Sequence, residues 1–400
     1  MNLDVMLDDL EELVTCESFS ADHTAVARSA GVVGDQGRGR LGAPPETIVI
    51  DGVTHLRWTF GTPRVLLVGH HDTVWPVGTL RELPWSLVDG IARGPGVFDM
   101  KAGLVQMFHA LAALPSPEGV RLLITGDEEV GSTSSRALIE ESARGCAATF
   151  VLEASAGGGA LKTARKGTSD YRVTVHGKAA HAGLEPERGA NAGIELAHQI
   201  LALGAMGSGG TTVTPTVLSG GTTANTVPAL ARVAVDVRAS SVAEQGRVDG
   251  LVRALVPRLP GTRLEVSGGP NRPPLEESSS ARLFELACRI AKDLGMEPLR
   301  RVAVGGASDG NFTAGAGCPT LDGLGAVGDG AHAVHEHVVV AEMPGRTRLL
   351  AGLIGAVLAG DTGTAAEAAV QVAASAGGTA APSGGFRARP RETAPAEDGG

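Results

Sequence analysis

The sequence predicts an α/β protein: a mostly parallel sheet flanked by helices, interrupted by a second, smaller α+β unit. Three observations carry this. Between residues 65 and 152, short apolar runs alternate with a helical pattern, as strands covered on both faces do when helices cross between them. After residue 167 the period changes to polar–apolar alternation, the mark of half-exposed antiparallel strands. From residue 279 the helical pattern returns, so the first unit is discontinuous and the second is inserted into it. At 400 residues the chain is also too long for one ordinary core.

Each element has a local reason. Leu3, Met6, Leu7, Leu10 and Val14 fall at helical spacing in an acidic amphipathic start. Residues 65–69 (VLLVG), 120–125 (VRLLIT) and 149–152 (TFVL) are buried-strand candidates. Between the first two, Leu104, Met107, Phe108 and Leu111 share one side of a helix over 104–114. In the second unit, strands at 171–176, 211–218, 231–238 and 263–267 enclose helices at 191–203 and 242–259. The latter carries Val248, Leu251, Val252, Leu255 and Val256 on its apolar face. The order β-α-β-β-α-β is that of a ferredoxin-like fold. A Pro-rich stretch, 269–275, leads out to a helix (SSARLFELACRIAKDLG), a Gly-rich segment over 304–317 and a closing helix over 341–358. The expected units are therefore 1–167 with 280–360, an inserted 168–279, and a tail 361–400. The tail's Ala, Gly, Pro, Ser and Thr lack an apolar stripe, so it is expected to be disordered, with a short helix at most over 365–374.

Bulk properties exclude some partners. The formal net charge of -10 argues against nucleic acid and against an anionic membrane surface. No run is long enough to span a bilayer. Cys16, Cys146, Cys288 and Cys318 form no CxxC pair, which points to buried reduced thiols. The start lacks the basic residues and unbroken apolar stretch of a signal peptide, so a cytoplasmic protein is expected.

Five segments carry acidic or histidine side chains, most of them just after an apolar run: GHHDTV (69–74), GPGVFDMK (94–101), TGDEEVGS (125–132), FVLEAS (150–155) and GDGAHAVHEHV (328–338). Strand ends are the usual place for a site in an open α/β sheet. On a strand His70 and Asp72 point the same way and His71 the other. Either His70 binds a metal with Asp72 orienting it, or the pair is a strand-end histidine beside a solvated aspartate. Asp99, in a Gly-rich turn before a helix, is either a carboxylate shared by two metals or a helix N-cap. Glu128 and Glu129 place two like charges at one sheet edge, costly without a cation. They read either as base and ligand, or as two solvated glutamates at a helix start. Glu153 ends its strand in position to close the ligand set. His332 is favoured over His335 and His337 because glycines precede it and let the backbone approach. His181 and Asn225 are ambiguous alone. Arg238 can clasp a substrate carboxylate or pair with Asp236.

Taken in order, these segments resemble the dinuclear zinc metallopeptidase and amidohydrolase family of glutamate carboxypeptidase, acetylornithine deacetylase, succinyl-diaminopimelate desuccinylase and bacterial dipeptidases. The likeness runs from about residue 9 to 358 through seven motifs: HHDTV, GPGVFDMKAG, TGDEEVGS, VLEAS, GKAAHAG, ANTVPALARVAVDVR and the long segment from GGASDGNF to HAVHEHV. Glu at the fourth ligand position, Glu153, looks nearest the glutamate carboxypeptidase type. The resemblance implies a zinc aminopeptidase-like catalytic unit in which Asp99 bridges two zinc ions, with cobalt or manganese able to replace them. His70 and Glu153 would complete one site, and Glu129 with His332 the other. Glu128 would be the general base, with Asp72 supporting His70, and Met100 would follow a cis peptide. The inserted domain would carry a homodimer interface and send His181 to the partner's oxyanion. Asn225, Arg238 and the 305–310 loop, with Gly306 and Ser308, would hold a substrate carboxylate. His71, His335 and His337 depart from the family pattern. The implied reaction is amide hydrolysis releasing a C-terminal amino acid, glutamate among them, from a peptide or N-acyl amino acid. A biosynthetic N-acyl amino acid deacylase is the alternative. An inactive binding relative would have lost a ligand or the base, and every such position is filled.

Overall fold

A mixed six-stranded sheet forms the frame, in the order Glu46–Ile50, Val53–Thr59, Val120–Thr125, Val65–His70, Ala148–Val151, Thr320–Leu321. The computed structural model describes residues 1–360. The last four strands run parallel, and the first two form an antiparallel hairpin at one edge. Val65–His70 lies inside the sheet and is buried along its whole length. Its side chains divide by the two-residue period of a strand. Val65 and Leu67 enter the larger core with Leu104, Phe108, Phe150, Ile290 and Ile354. Leu66 and Val68 enter a smaller one with Leu123, Ile139, Val151 and Phe312. That two-sided covering is why this segment is apolar throughout rather than alternating.

The hairpin goes beyond the expected elements. Its turn is Asp51–Gly52, both at positive φ (51° and 83°), the Asp-Gly pair that suits a two-residue hairpin turn. The helices Ala102–Ala112, Glu277–Asp293 and Met343–Leu358 fall close to the expected spans.

A second sheet is wholly antiparallel, in the order Thr212–Gly220, Leu230–Ala239, Gly167–His176, Arg263–Arg272. With the helices Ala192–Gly204 and Val242–Arg253 its chain order is strand-helix-strand-strand-helix-strand. Ala231, Val233, Val235 and Val237 face a separate core with Val173, Val175, Leu196 and Val248. One expectation fails here. The helix expected to reach residue 259 ends at Arg253, and Leu251 (41% exposed) and Val256 (69%) lie outside the core. Pro257 has no N–H and disfavours helix at the residue before it. Beyond it, the buried Glu195 carboxylate accepts the N–H groups of Arg258 and Leu259, which holds the chain out of helix.

A small antiparallel sheet, also beyond the expected elements, joins Gly328–Asp329, His337–Val339, Ile91–Arg93 and Ser86–Val88. It sets the loop around His332 beside the segment that leads into Asp99. Among the described residues no helix is long and apolar enough to cross a membrane. The expected disordered tail and the short helix at 365–374 lie outside the described residues.

Candidate metal centre

His70 is the last residue of its strand and is buried. Its Nδ1 lies 3.0 Å from the Asp72 backbone carbonyl and 3.4 Å from the Asp72 carboxylate. A proton on Nδ1 therefore leaves the Nε2 lone pair facing inward. Asp72 has a further task. Its oxygens accept from Ser20 Oγ at 2.7 Å and from the backbone N–H groups of Glu128 and Glu129, each at 3.2 Å. Asp72 thus shapes the turn Glu128–Val130 as well as the imidazole.

Asp99 sits in the segment Val97–Lys101, where its own backbone is not helical, and its peptide bond to Met100 is cis. No hydrogen bond of its carboxylate caps a helix among the described contacts. One oxygen, Oδ1, lies 3.4 Å from His70 Nε2. The other, Oδ2, lies 3.4 Å from His332 Nε2. Glu153, two residues past its strand, brings Oε1 to 3.5 Å from His70 Nε2. Glu129 brings Oε2 to 3.0 Å from His332 Nε2. The adjacent glutamates diverge: Glu128 turns its Oε1 to Arg272 at 2.8 Å.

These side chains fit a divalent cation. His70 Nε2 and Asp99 Oδ1 are buried and face each other, and neither has a hydrogen-bond partner. Leaving two such atoms unmet inside a protein is costly. Ligand atoms of His70, Asp99 and Glu129 lie within 4.8 Å of one another, and so do those of His70, Glu128 and Glu153. The charges agree. Burial alone would raise the Asp99 carboxyl, yet the neighbouring His332 and His70 imidazoles hold it well below the usual carboxylate range. Asp99 and Glu129 in turn push the His332 imidazole up to about 10. Burial pushes Glu128 up, against the pull of Arg272. A proton on His332 and a cation would compete for one place, so metal uptake would release protons.

His71 points away from the cluster, and its Nε2–H meets the Thr54 carbonyl at 3.1 Å. Burial holds its imidazole down to about 4 from an ordinary 6.5. Unfolded, it gains a proton below about pH 6.5; folded, it stays neutral until about pH 4. Its contribution to stability is whole above about 6.5 and is lost as pH falls through 4. The span corresponds to about 3 kcal/mol. Thermal melts of chelator-treated protein from pH 7.5 to 4 should show this loss, and His71→Asn should flatten the curve. An equal slope in the variant would clear His71 of the effect.

Among the described contacts no direct hydrogen bond or ion pair joins the other residues named from sequence to the side chains of this cluster. His181 is exposed, and its Nδ1 accepts the N–H groups of Gly183 and Leu184. Asn225 offers its backbone carbonyl to Ala182 N–H, across a bridge between the two segments. Arg238 pairs with Asp236 at 2.9 Å. Ser308 is buried and donates its hydroxyl to Asp322 at 2.6 Å, while the Gly306 carbonyl accepts from Arg165. His337 Nδ1 meets the His335 carbonyl, and neither ring joins the cluster among the described contacts.

Several polar residues around the centre were not singled out from sequence. Arg272, on the last strand of the second sheet, reaches Glu128, Ser132 and Asp309. Arg165 binds Asp322 and Glu153. Lys162 Nζ stands 4.0 Å from Glu153. Glu336 accepts from the segment that carries Asp99. Only Glu336 had a local signal, four residues after His332, and that spacing says nothing of its partners.

A mixed α/β sheet thus gathers carboxylates and imidazoles near its strand ends in groups that could hold a metal ion. Residues 66–356 match the peptidase family M20/M25/M40, and the chain belongs to that family of metallopeptidases and amidohydrolases. It is similar to carboxypeptidase G2 of Pseudomonas sp. (strain RS-16), with 31% identity over 74% of each chain. It is similar also to succinyl-diaminopimelate desuccinylase of Acidiphilium cryptum (strain JF-5), with 30% identity over 74% of this chain and 83% of that one. In fold it is similar to the aminopeptidase PepT of Bacillus cereus ATCC 10987, at a TM-score of 0.70 and 24% identity, over 90% of this chain and 99% of the other.

Proposed function

We propose that the centre holds two zinc ions and that the protein hydrolyses an amide bond, releasing a C-terminal amino acid, glutamate among them, from a peptide or N-acyl amino acid. The observation that carries this is Asp99, whose two oxygens each stand 3.4 Å from a different imidazole. Asp99 would be shared, with His70 and Glu153 on one side and Glu129 and His332 on the other. When bound, the metal polarises the scissile carbonyl and makes water a nucleophile near neutral pH. Cobalt or manganese would suit the same donors.

Glu128 takes the proton of the attacking water and returns it to the leaving nitrogen. Burial raises its proton affinity, as a base working near neutral pH requires. Asp72 fixes the His70 ring and the Glu128–Val130 turn together. Residues 168–279 form the inserted domain, and 1–167 with 280–360 the catalytic one. The inserted domain pairs two copies: its edge strand Thr212–Gly220 exposes Val217 (68%) and Leu218 (58%), and its helix Ala192–Gly204 exposes Leu201 (74%). His181 of the partner subunit then steadies the oxyanion. The loop at Gly306, which Ser308 ties to Asp322, with Asn225 and with Arg238 once it exchanges Asp236 for the ligand, receives the substrate carboxylate.

A second reading, a biosynthetic N-acyl amino acid deacylase, is favoured by the likeness to the desuccinylase. A zinc-loaded panel of peptidyl and N-acyl glutamates, N-acetylornithine and N-succinyl-diaminopimelate separates them. We expect the glutamate conjugates to be cleaved with the largest kcat/KM. Preference for N-acetylornithine or the succinyl compound would install the second reading. Zinc uptake without cleavage of any of them would leave a binding protein.

A further inference from the structure

We propose that Glu336 is a positioning residue of the metal centre, holding Asp99 where both metals can share it; the proposal rests on the dizinc reading above. The Glu336 carboxylate is 4% exposed. Its Oε1 accepts the N–H groups of Phe98 (2.9 Å) and Asp99 (3.1 Å). Its Oε2 accepts Gly96 N–H (3.0 Å) and the Trp75 indole N–H (2.8 Å). Four donors meet the roughly four acceptor sites that an ionised carboxylate offers.

The backbone explains why this segment needs such a partner. Gly96 is at φ 72°, and Asp99 and Met100 depart from helical geometry, so Val97–Lys101 does not follow a regular helix. Donors left unmet there would each cost about 1–3 kcal/mol. One buried carboxylate satisfies three of them and fixes the direction in which the Asp99 side chain leaves the chain.

Glu336 also links three ligand-bearing segments. Trp75 stands five residues past the strand end at His70 and three past Asp72. Gly96, Phe98 and Asp99 belong to the bridging segment. Glu336 itself is four residues past His332, in the loop set by the small sheet. A shift of any one segment is therefore passed to the other two through a single side chain. Outer partners of metal ligands commonly set metal affinity by 10–100-fold when removed.

Zinc titration into chelator-treated parent, Glu336→Gln, Glu336→Ala and Trp75→Phe proteins tests this, with cobalt absorption spectra of each. The glutamine keeps the shape but turns an amide nitrogen toward N–H groups that need an acceptor. We expect two zincs in the parent, a roughly 10–100-fold weaker affinity in the Glu336 variants, a changed cobalt spectrum, and a loss of a few-fold in Trp75→Phe. A lowered melting temperature of the metal-free protein, with parental zinc affinity and cobalt spectrum, would make Glu336 merely structural and overturn the proposal. If both Glu336 variants fail to fold, Trp75→Phe decides: parental affinity and spectrum there overturn it. A parent that takes up fewer than two zincs sinks the dizinc reading, and this inference with it, a result distinct from parental binding in the variants.

Discussion

Glu128→Ala is expected to lower turnover by about 10²–10⁴-fold while the protein keeps its metal. The reasoning starts from the divergence of the two neighbouring glutamates. Glu129 turns to His332, whereas Glu128 turns to Arg272. In the proposed arrangement His70, Asp99, Glu153, Glu129 and His332 would supply the ligand set without Glu128. The alanine also strips a buried guanidinium of a partner, which could lower activity through misplacement of Arg272 alone. Glu128→Gln separates the two effects, because it keeps the shape and one hydrogen-bond acceptor but cannot carry a proton. We expect the glutamine variant to be about as slow as the alanine variant, with zinc content equal to the parent. Turnover at the parent rate in Glu128→Gln would remove the base assignment. Loss of zinc in both variants would instead move Glu128 among the ligands, which its closeness to His70 and Glu153 allows geometrically.

Asp99→Ala should be the most damaging single change. It deletes a carboxylate that stands 3.4 Å from both His70 and His332. Zinc retained per chain is expected to fall, and turnover to drop by at least about 10³-fold, since bound metal contributes several kcal/mol to the transition state. An independent signal accompanies this. The His332 imidazole stands at about 10 because Asp99 and Glu129 share its proton. Without Asp99 its pKa should fall toward the ordinary histidine value, which the ring's NMR titration in the metal-free protein would show. Two zincs bound at parental affinity in Asp99→Ala would break the proposal that this residue bridges them.

Much of the centre was legible because its residues are local. His70 and Asp72 share a strand face, and their side chains do meet. The like charges of Glu128 and Glu129 left two readings open, a cation between them or two solvated glutamates, and the structure shows the two side chains diverging. The hairpin was not among the expected elements, although Asp51–Gly52 stands between two β-branched runs, and the helix expected to reach 259 ran across Pro257, which a helix does not tolerate there. Other residues offered no such handle. Arg272 stands in a stretch that reads as a Pro-rich exit from the second unit, yet it meets Glu128 across 144 positions. Glu336 meets the Asp99 segment across 237 to 240 positions.

By itself, the sequence determined where side chains of the metal-binding type stand, that most of them follow apolar runs, and that two patterns of different strand period alternate along the chain. Those properties follow from residue type and from spacing within ten or so positions. Only the tertiary structure decided that Glu128 is held by Arg272 and Glu129 by His332, that Arg238 is occupied by Asp236, and that Asp99 is gripped from behind by Glu336. The reason is physical. An imidazole or carboxylate has its donor atoms wherever it stands. Its charge, orientation and free lone pairs depend on burial and on partners brought in from distant parts of the chain.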